Sequence, residues 1–334
     1  MVLFLDDHDI ARLVTMDEAL VSVERALAAQ GRGHAANAPR RRLPLGDAAL
    51  NVLGGALALT EDGAVRAPHE GWMGAKISVS AGGGARKKSW FTLFDGTGTL
   101  RALLESNRLG LLRTGAASGV SAGLLAASDA EVLGCLGAGY QAWGQIEAIA
   151  RVRPIGHVLL WNRTRDRAHA LARRVTERLG LSCEVTPRAV DAVAGSRIVV
   201  TVTATTEPIL HGAEVRPGTH VVLAGANTPA RREADAALFA RADAVFVDDL
   251  PQAREVSGDL RMAAAEGTLD WSRVEPLGAL VVSDAQPPTG TTVFCSQGVG
   301  AWDVALAHEA YHRALTRGAG TQLPITGEPL DDRP

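Results

Sequence analysis

Gly137-Ala-Gly139-Tyr-Gln-Ala142 follows an apolar run, Val132–Leu136, and stands at the head of a segment patterned as a helix. The spacing G-x-G-x-x-A between a strand and a helix makes a phosphate cradle. Gly137 makes the tight turn, Gly139 lets backbone approach a pyrophosphate, and Ala142 is small enough for the helix to sit close to the sheet. The helix start adds N–H groups and a positive dipole end. Ala138, Tyr140 and Gln141 complete a turn that is expected to bind a dinucleotide. The next apolar run ends in Asn162-Arg-Thr-Arg165, where an NAD-preferring site usually has an acid bonding the ribose 2′-hydroxyl. Asn162, Arg163, Thr164 and Arg165 instead suit a 2′-phosphate, because guanidinium grips phosphate bidentately and Thr164 adds a hydroxyl. The expected cofactor is NADP(H).

Other chemistry-bearing residues have plainer readings. His308-Glu-Ala-Tyr-His312 is a literal H-E-x-x-H with both histidines on one helix face. The residues after it include Gly318, Gly320, Pro324, Gly327 and Pro329, which leave no second ligand helix, so no metal is expected. Cys135, Cys183 and Cys295 are odd in number and scattered, with no C-x-x-C, which argues against a disulfide framework and for a reducing, cytoplasmic setting. Cys135 lies inside a strand and reads as core, and Arg86-Lys-Lys88 reads as a solvated turn.

The elements that must position these groups follow from pattern. Thr15-Met-Asp-Glu18 is a capping box opening a helix through Leu20, Val23 and Leu27 that stops near Gly31. From Pro39 to Glu105 short strands dominate. In Lys76–Ser80, Ile77 and Val79 share one face and Lys76, Ser78 and Ser80 the other. Asp95–Gly98 is a turn between Trp90–Phe94 and Leu100–Leu104, and a helix rich in small residues runs from about Asn107 to Ala127. From Glu131 the texture changes to apolar strands alternating with helices: Val132–Leu136, Val158–Trp161, Ile198–Val202, His220–Leu223 and Ala244–Val247. Such runs predict a parallel sheet covered on both faces, an α/β fold. A final helix is expected over 301–317, before a fraying tail.

Composition excludes several classes. The chain has 334 residues, 46% hydrophobic and 21% charged, enough for two domains with real cores and unlike a disordered chain. A net charge of −3 removes the electrostatic case for nucleic acid or an anionic membrane as partner. No apolar run has the ~18 residues of a spanning helix. Met1–Leu5 meets Asp6 and Asp7 at once, unlike a signal peptide. The 36 glycines, with only 4% aromatics, suggest Ala, Val and Leu layers packed closely over glycine-bearing turns.

With these residues in view, the chain resembles the ornithine cyclodeaminase/mu-crystallin family. The resemblance rests on Pro39-Arg40, Lys76, Leu112-Arg-Thr-Gly-Ala-Ala117, Gly137–Ala142, Trp161-Asn-Arg-Thr164, Gly225-Ala-Asn-Thr-Pro229 and Phe294-Cys-Ser-Gln-Gly298, with Asp303 in the last helix. It implies a Rossmann domain, here placed at 128–290, and an α+β substrate and dimerisation domain made of 1–127 and 291–334. It further implies a homodimer and nicotinamide-dependent chemistry at an amino-acid Cα.

By position, Arg40, Lys76 and Arg113 correspond to the family's groups around the substrate carboxylate. Asn227 and Ser296 fall near the nicotinamide, and Thr203 and Gly298 join the expected cofactor contacts. Cations there make chemical sense, since a 2-imino acid must hold its Cα rigidly against the nicotinamide and each charge-assisted bond contributes about 1.5–3 kcal/mol. Lys76 is also a candidate proton donor if burial lowers its pKa.

The cyclodeaminases carry acids where this chain has Asn227 and Asn51. An amide cannot titrate, so cyclodeamination loses its base while hydride delivery to a protonated imine does not. A stretch holding Glu61-Asp-Gly63 and His69-Glu70 lengthens the approach to Lys76 and is a candidate lining for the substrate side chain. The expected function is therefore NADP(H)-dependent reduction of a small 2-imino acid, or the reverse dehydrogenation. Candidate substrates are a cyclic ketimine, iminosuccinate, or pyruvate with an amine. The alternatives are a cyclodeaminase with recycled cofactor and a mu-crystallin-like binding protein.

Overall fold

The computed structural model describes residues 1–60, 70–80 and 88–326. The chain forms two compact units, Met1–Arg113 with Val299–Pro334, and Thr114–Gly298.

The first unit begins with β1 (Val2–Leu5), α1 (Asp7–Leu13) and α2 (Met16–Gly31). Both helices start at capping boxes; at Thr15 the hydroxyl accepts from the Glu18 N–H at 3.4 Å and the Glu18 carboxylate accepts from the Thr15 N–H at 2.7 Å, as expected. Then come β2 (Ala35–Asn37), β3 (Arg41–Leu45), β4 (Ala48–Ala58), β5 (Gly71–Ser80), β6 (Ser89–Asp95) and β7 (Leu100–Glu105), with α3 (Asn107–Leu125) crossing from the first unit into the second. The Asp95–Gly98 turn forms as read, Asp95 Oδ1 accepting from the N–H groups of Thr97 and Thr99.

The alternation in β5 is real, but its polar side faces inward. Ser78 is buried and Lys76 nearly so, while Met73, Ile77 and Val79 are 43%, 40% and 50% exposed. Register places Leu43 beside Leu50 beside Val79, and Val52 beside Ile77 beside Trp90, so one sheet face carries a largely apolar surface with Arg41 at its edge beside Val52. Its opposite face is covered by α11 (Gly300–Arg317), which lies before β16 (Thr321–Leu323). A Cβ on Gly55 would stand 2.3 Å from the Ala301 nitrogen, so strand and helix meet backbone to backbone. The glycines serve this close approach as much as turns.

The second unit runs β8 (Val132–Leu136), α4 (Tyr140–Val152), β9 (His157–Trp161), α5 (Arg165–Leu179), β10 (Ser182–Val185), α6 (Ala189–Ala194), β11 (Ile198–Thr201), β12 (His220–Leu223), α7 (Ala236–Arg241), β13 (Ala244–Val247), α8 (Leu250–Val256), α9 (Gly258–Ala265), β14 (Val274–Pro276), α10 (Leu277–Val281) and β15 (Thr292–Cys295). The strands pair in parallel in the order β10-β9-β8-β11-β12-β15-β13-β14, the doubly wound arrangement the apolar runs predict. The expected boundary at residue 290 is one strand early, because β15 inserts between β12 and β13. The boundary at 127 falls beyond the observed division at Arg113, which lies inside α3.

His220 is fully buried at the start of β12. Its Nδ1 is 2.8 Å from the Thr292 hydroxyl and its Nε2 3.2 Å from the Ser121 hydroxyl. Ser121 spends its own proton on the Ser118 carbonyl, which makes Nε2 the donor of that pair. Burial takes the pKa down to about 3. A folded pKa below the ordinary value gives stability that is full above about pH 6.5 and lost as pH falls toward 3. A melting-temperature series over that range is expected to fall steeply, and His220→Gln to flatten it.

Candidate active site

Within the first unit, Lys76 points from the inner face of β5 at the first turn of α11. Its Nζ lies 3.4 Å from Asp303 Oδ1, and the same oxygen is 3.5 Å from Nε of Arg113. Asp303 is completely buried, and the side chains of Lys76 and Arg113 are 14% and 8% exposed. The second oxygen of Asp303 and the Arg113 Nε have no hydrogen-bond partner among the described residues. Burial, opposed by Asp303 and reinforced by the charges of Arg113 and Arg40, lowers the Lys76 pKa to about 8. Among the described residues Lys76 and Arg113 set two cations against the Asp303 carboxylate, an excess of positive charge that a bound carboxylate would offset. An ammonium titrating near 8 is also matched to proton exchange near neutrality.

Gly110 makes the space for this. A Cβ there would stand 2.5 Å from Lys76 Nζ. Asn51 lies on β4 facing Ser78, 7% exposed, and its Nδ2 donates to the Ala49 and Ser78 carbonyls at 3.2 and 3.3 Å, so only its oxygen is left to face a ligand. Asp303 was legible only as a matching position. Its signal is a lone acid among small and apolar residues at the start of the last helix.

In the second unit the predicted cradle forms between β8 and α4. Gly137 has φ +122°, a value that disfavours any other residue, and its N–H donates to the Trp161 carbonyl at 2.8 Å. No side chain caps α4 at Gly139, and a Cβ there would meet nothing within 4 Å, so space lies open over the helix start. Asn162 Oδ1 accepts from the Ala138 N–H at 3.1 Å and its Nδ2 donates to the Thr164 carbonyl at 2.8 Å. That side chain ties the cradle to the start of α5, where Arg163, Thr164 and Arg165 are exposed.

Thr203 follows β11, Asn227 follows β12, and Ser296 and Gly298 follow β15, all at strand carboxyl ends. Ser296 Oγ is buried with no partner among the described residues, an orphan that a nicotinamide carboxamide would satisfy. Thr203 differs from expectation in that its N–H and hydroxyl both donate to Glu233, at 2.6 and 2.7 Å. An open cradle, exposed arginines and a buried orphan hydroxyl together fit a dinucleotide.

Glu61–Gly63 and His69, and Arg86 and Lys87, lie outside the described residues. The rings of His308 and His312 lie 4.3 Å apart and tilted, and both meet Trp72 edge-on at 4.8 and 5.6 Å between centroids. Burial takes the His308 pKa down to about 3. Cys135 is fully buried, and burial pushes its thiol up. No helix among the described residues is long and apolar enough to cross a membrane.

Several proteins resemble this chain along its length. Iminosuccinate reductase of Paracoccus denitrificans is 32% identical, over 97% of this chain and 100% of that protein. The structure of Thermococcus litoralis Δ1-pyrroline-2-carboxylate reductase in complex with NADH and L-proline superposes with a TM-score of 0.88 at 28% identity, covering 96% of this chain and 100% of that one. An archaeal alanine dehydrogenase dimer with bound NAD superposes with a TM-score of 0.86 at 28% identity, over 97% and 99% of the two chains. Residues 2–318 match the family itself, and the chain belongs to the ornithine cyclodeaminase/mu-crystallin family.

Proposed function

We propose that this protein is an NADP(H)-dependent oxidoreductase that reduces a small 2-imino acid to an amino acid. The observation that carries the reading is the buried cluster of Lys76, Arg113 and Asp303, with Arg40's charge acting on it. Such a cluster serves a small anion whose carboxylate must be fixed while its neighbouring carbon reacts. Lys76 and Arg113 take the carboxylate, Arg40 adds charge, and the Lys76 ammonium supplies a proton toward the imine nitrogen. Gly137–Ala142 would hold the dinucleotide, which when bound would supply the hydride that the imine carbon needs. Arg163 and Arg165 favour the 2′-phosphate; the relatives' NADH and NAD bear on the dinucleotide but not on this preference. With Asn227 in place of an acid, the site has no titratable group there for cyclodeamination.

We further propose a homodimer, supported by the apolar sheet face bearing Leu43, Leu50, Met73, Ile77 and Val79, since a surface of this kind on a monomer marks an interaction site. The archaeal relative is itself a dimer.

The test is a panel of 2-keto acids with ammonia or methylamine, together with cyclic ketimines and iminosuccinate. Oxidation of NADPH is expected with at least one of these, at a kcat/KM at least ~10-fold above that with NADH, as one retained guanidinium–phosphate contact requires. A protein that binds NADPH yet turns over none of them contradicts the reading.

A further inference from the structure

We infer that Glu233 is the positioning residue that sets the nicotinamide end of the dinucleotide site, by locking the loop after β11 to the loop after β12. The inference rests on the dinucleotide reading above and adds to it a residue outside the cradle.

Glu233 is fully buried, and its two oxygens face two different loops. Oε1 accepts from the N–H and hydroxyl of Thr203, at 2.6 and 2.7 Å. Oε2 accepts from the N–H of Gly225 at 2.7 Å and of Ala226 at 3.2 Å. Asn227 is the next residue. The main chain that carries the carboxylate is itself held: the Glu233 N–H donates to Asp259 Oδ1 at 2.7 Å, and the Glu233 backbone carbonyl accepts from the N–H groups of Ile209 and Leu210 at 2.9 and 3.1 Å. The loops meet without slack, since a Cβ on Gly225 would stand 2.2 Å from the Thr203 carbonyl oxygen and 2.5 Å from Glu233 Oε1.

In a doubly wound sheet the ligand crosses the carboxyl ends of the strands where the order reverses, here between β8 and β11. The pyrophosphate turn follows β8, so the second mononucleotide half falls over the ends of β11 and β12, the two ends Glu233 fastens together. The adenosine half belongs to β8 and β9, to which the Glu233 carboxylate makes no hydrogen bond among the described residues. Burial pushes its carboxyl above the ordinary range while the backbone and hydroxyl donors hold the charged form.

Glu233→Gln separates these halves. The amide presents one oxygen and one NH2, so whichever way it turns, one loop's N–H groups face a donor instead of an acceptor. Two probes are titrated calorimetrically into the wild type and the variant: NADPH, and 2′-phospho-ADP-ribose, which lacks only the nicotinamide. The Kd for NADPH is expected to rise at least ~10-fold, the loss of about one charge-assisted bond. The Kd for the nicotinamide-free probe is expected to stay within ~2-fold. Thr203→Val, which deletes one donor and keeps the fold, is expected to shift the same way by a smaller factor.

If both probes weaken equally, Glu233 serves the unit's fold as a whole and the inference fails. If neither variant changes either probe, it fails as well. A wild type that binds neither probe overturns the dinucleotide reading itself, which makes the two failures distinguishable.

Discussion

Lys76→Met is expected to lower kcat/KM by about three orders of magnitude while leaving NADPH affinity within ~2-fold, because the substitution removes a carboxylate contact and a proton donor together. Met keeps the length and apolar stem, so the fold survives the change. It also relieves a buried ammonium that is only partly compensated: its pKa of about 8 records a charge held against burial with one carboxylate at 3.4 Å. The wild-type pH profile carries the same signature. Reduction needs the ammonium form, so kcat/KM is expected to decline as pH rises through about 8 and to be level below it until other groups intervene. The Met variant should lose that limb. A residual rate that still falls through the same pH would assign the titration to another group and remove Lys76 from proton transfer.

Gly110→Ala is expected to cost about 10²-fold in kcat/KM with a melting temperature changed by no more than about 2 °C. The added methyl would stand 2.5 Å from Lys76 Nζ and 3.8 Å from its Cε. What must move is the far end of a flexible side chain, and not the backbone, so the fold yields cheaply and the chemistry does not. Nζ displaced by an ångström loses both Asp303 and the carboxylate position. Alanine also favours the helix, which offsets some of the strain. Kinetics and calorimetry on the same preparation separate the two effects. Wild-type rates in this variant would mean that the lysine's placement is not critical.

Much of this was legible because the relevant signals are local. The cradle from Gly137 to Ala142, the Thr15–Glu18 box and the apolar runs of the parallel sheet all depend on neighbours within a few residues, and each forms where read. β10 and β14 were not visible, being short edge strands with mixed burial. β15 was not read as a strand either, and the boundary at 290 left it outside the parallel sheet that it joins between β12 and β13. The alternation in β5 predicted two faces but not which is inside, and here the polar side is buried because that side faces Asp303.

Lys76 and Arg113 were identified by resemblance, as single cations have no pattern of their own. The partners of the acids that organise the site were not legible for a related reason, although Asp303 itself stood among the matching positions. Asp303 lies 227 residues from Lys76, and Glu233 bonds Thr203 across 30, separations at which sequence carries no register. Gly110 looked like one more small residue in a helix of small residues, and only the position of Nζ gives it meaning.

The central claim is hydride addition to the carbon beside a gripped carboxylate. It is tested most directly by running the reductase assay with NADPH carrying deuterium at the nicotinamide C4 and weighing the product. The account predicts an amino acid with a single deuterium, located at Cα, for one C4 epimer of the cofactor and none for the other. An unlabelled product from both epimers, or ammonia released from a diamino acid with the cofactor label retained, would contradict it.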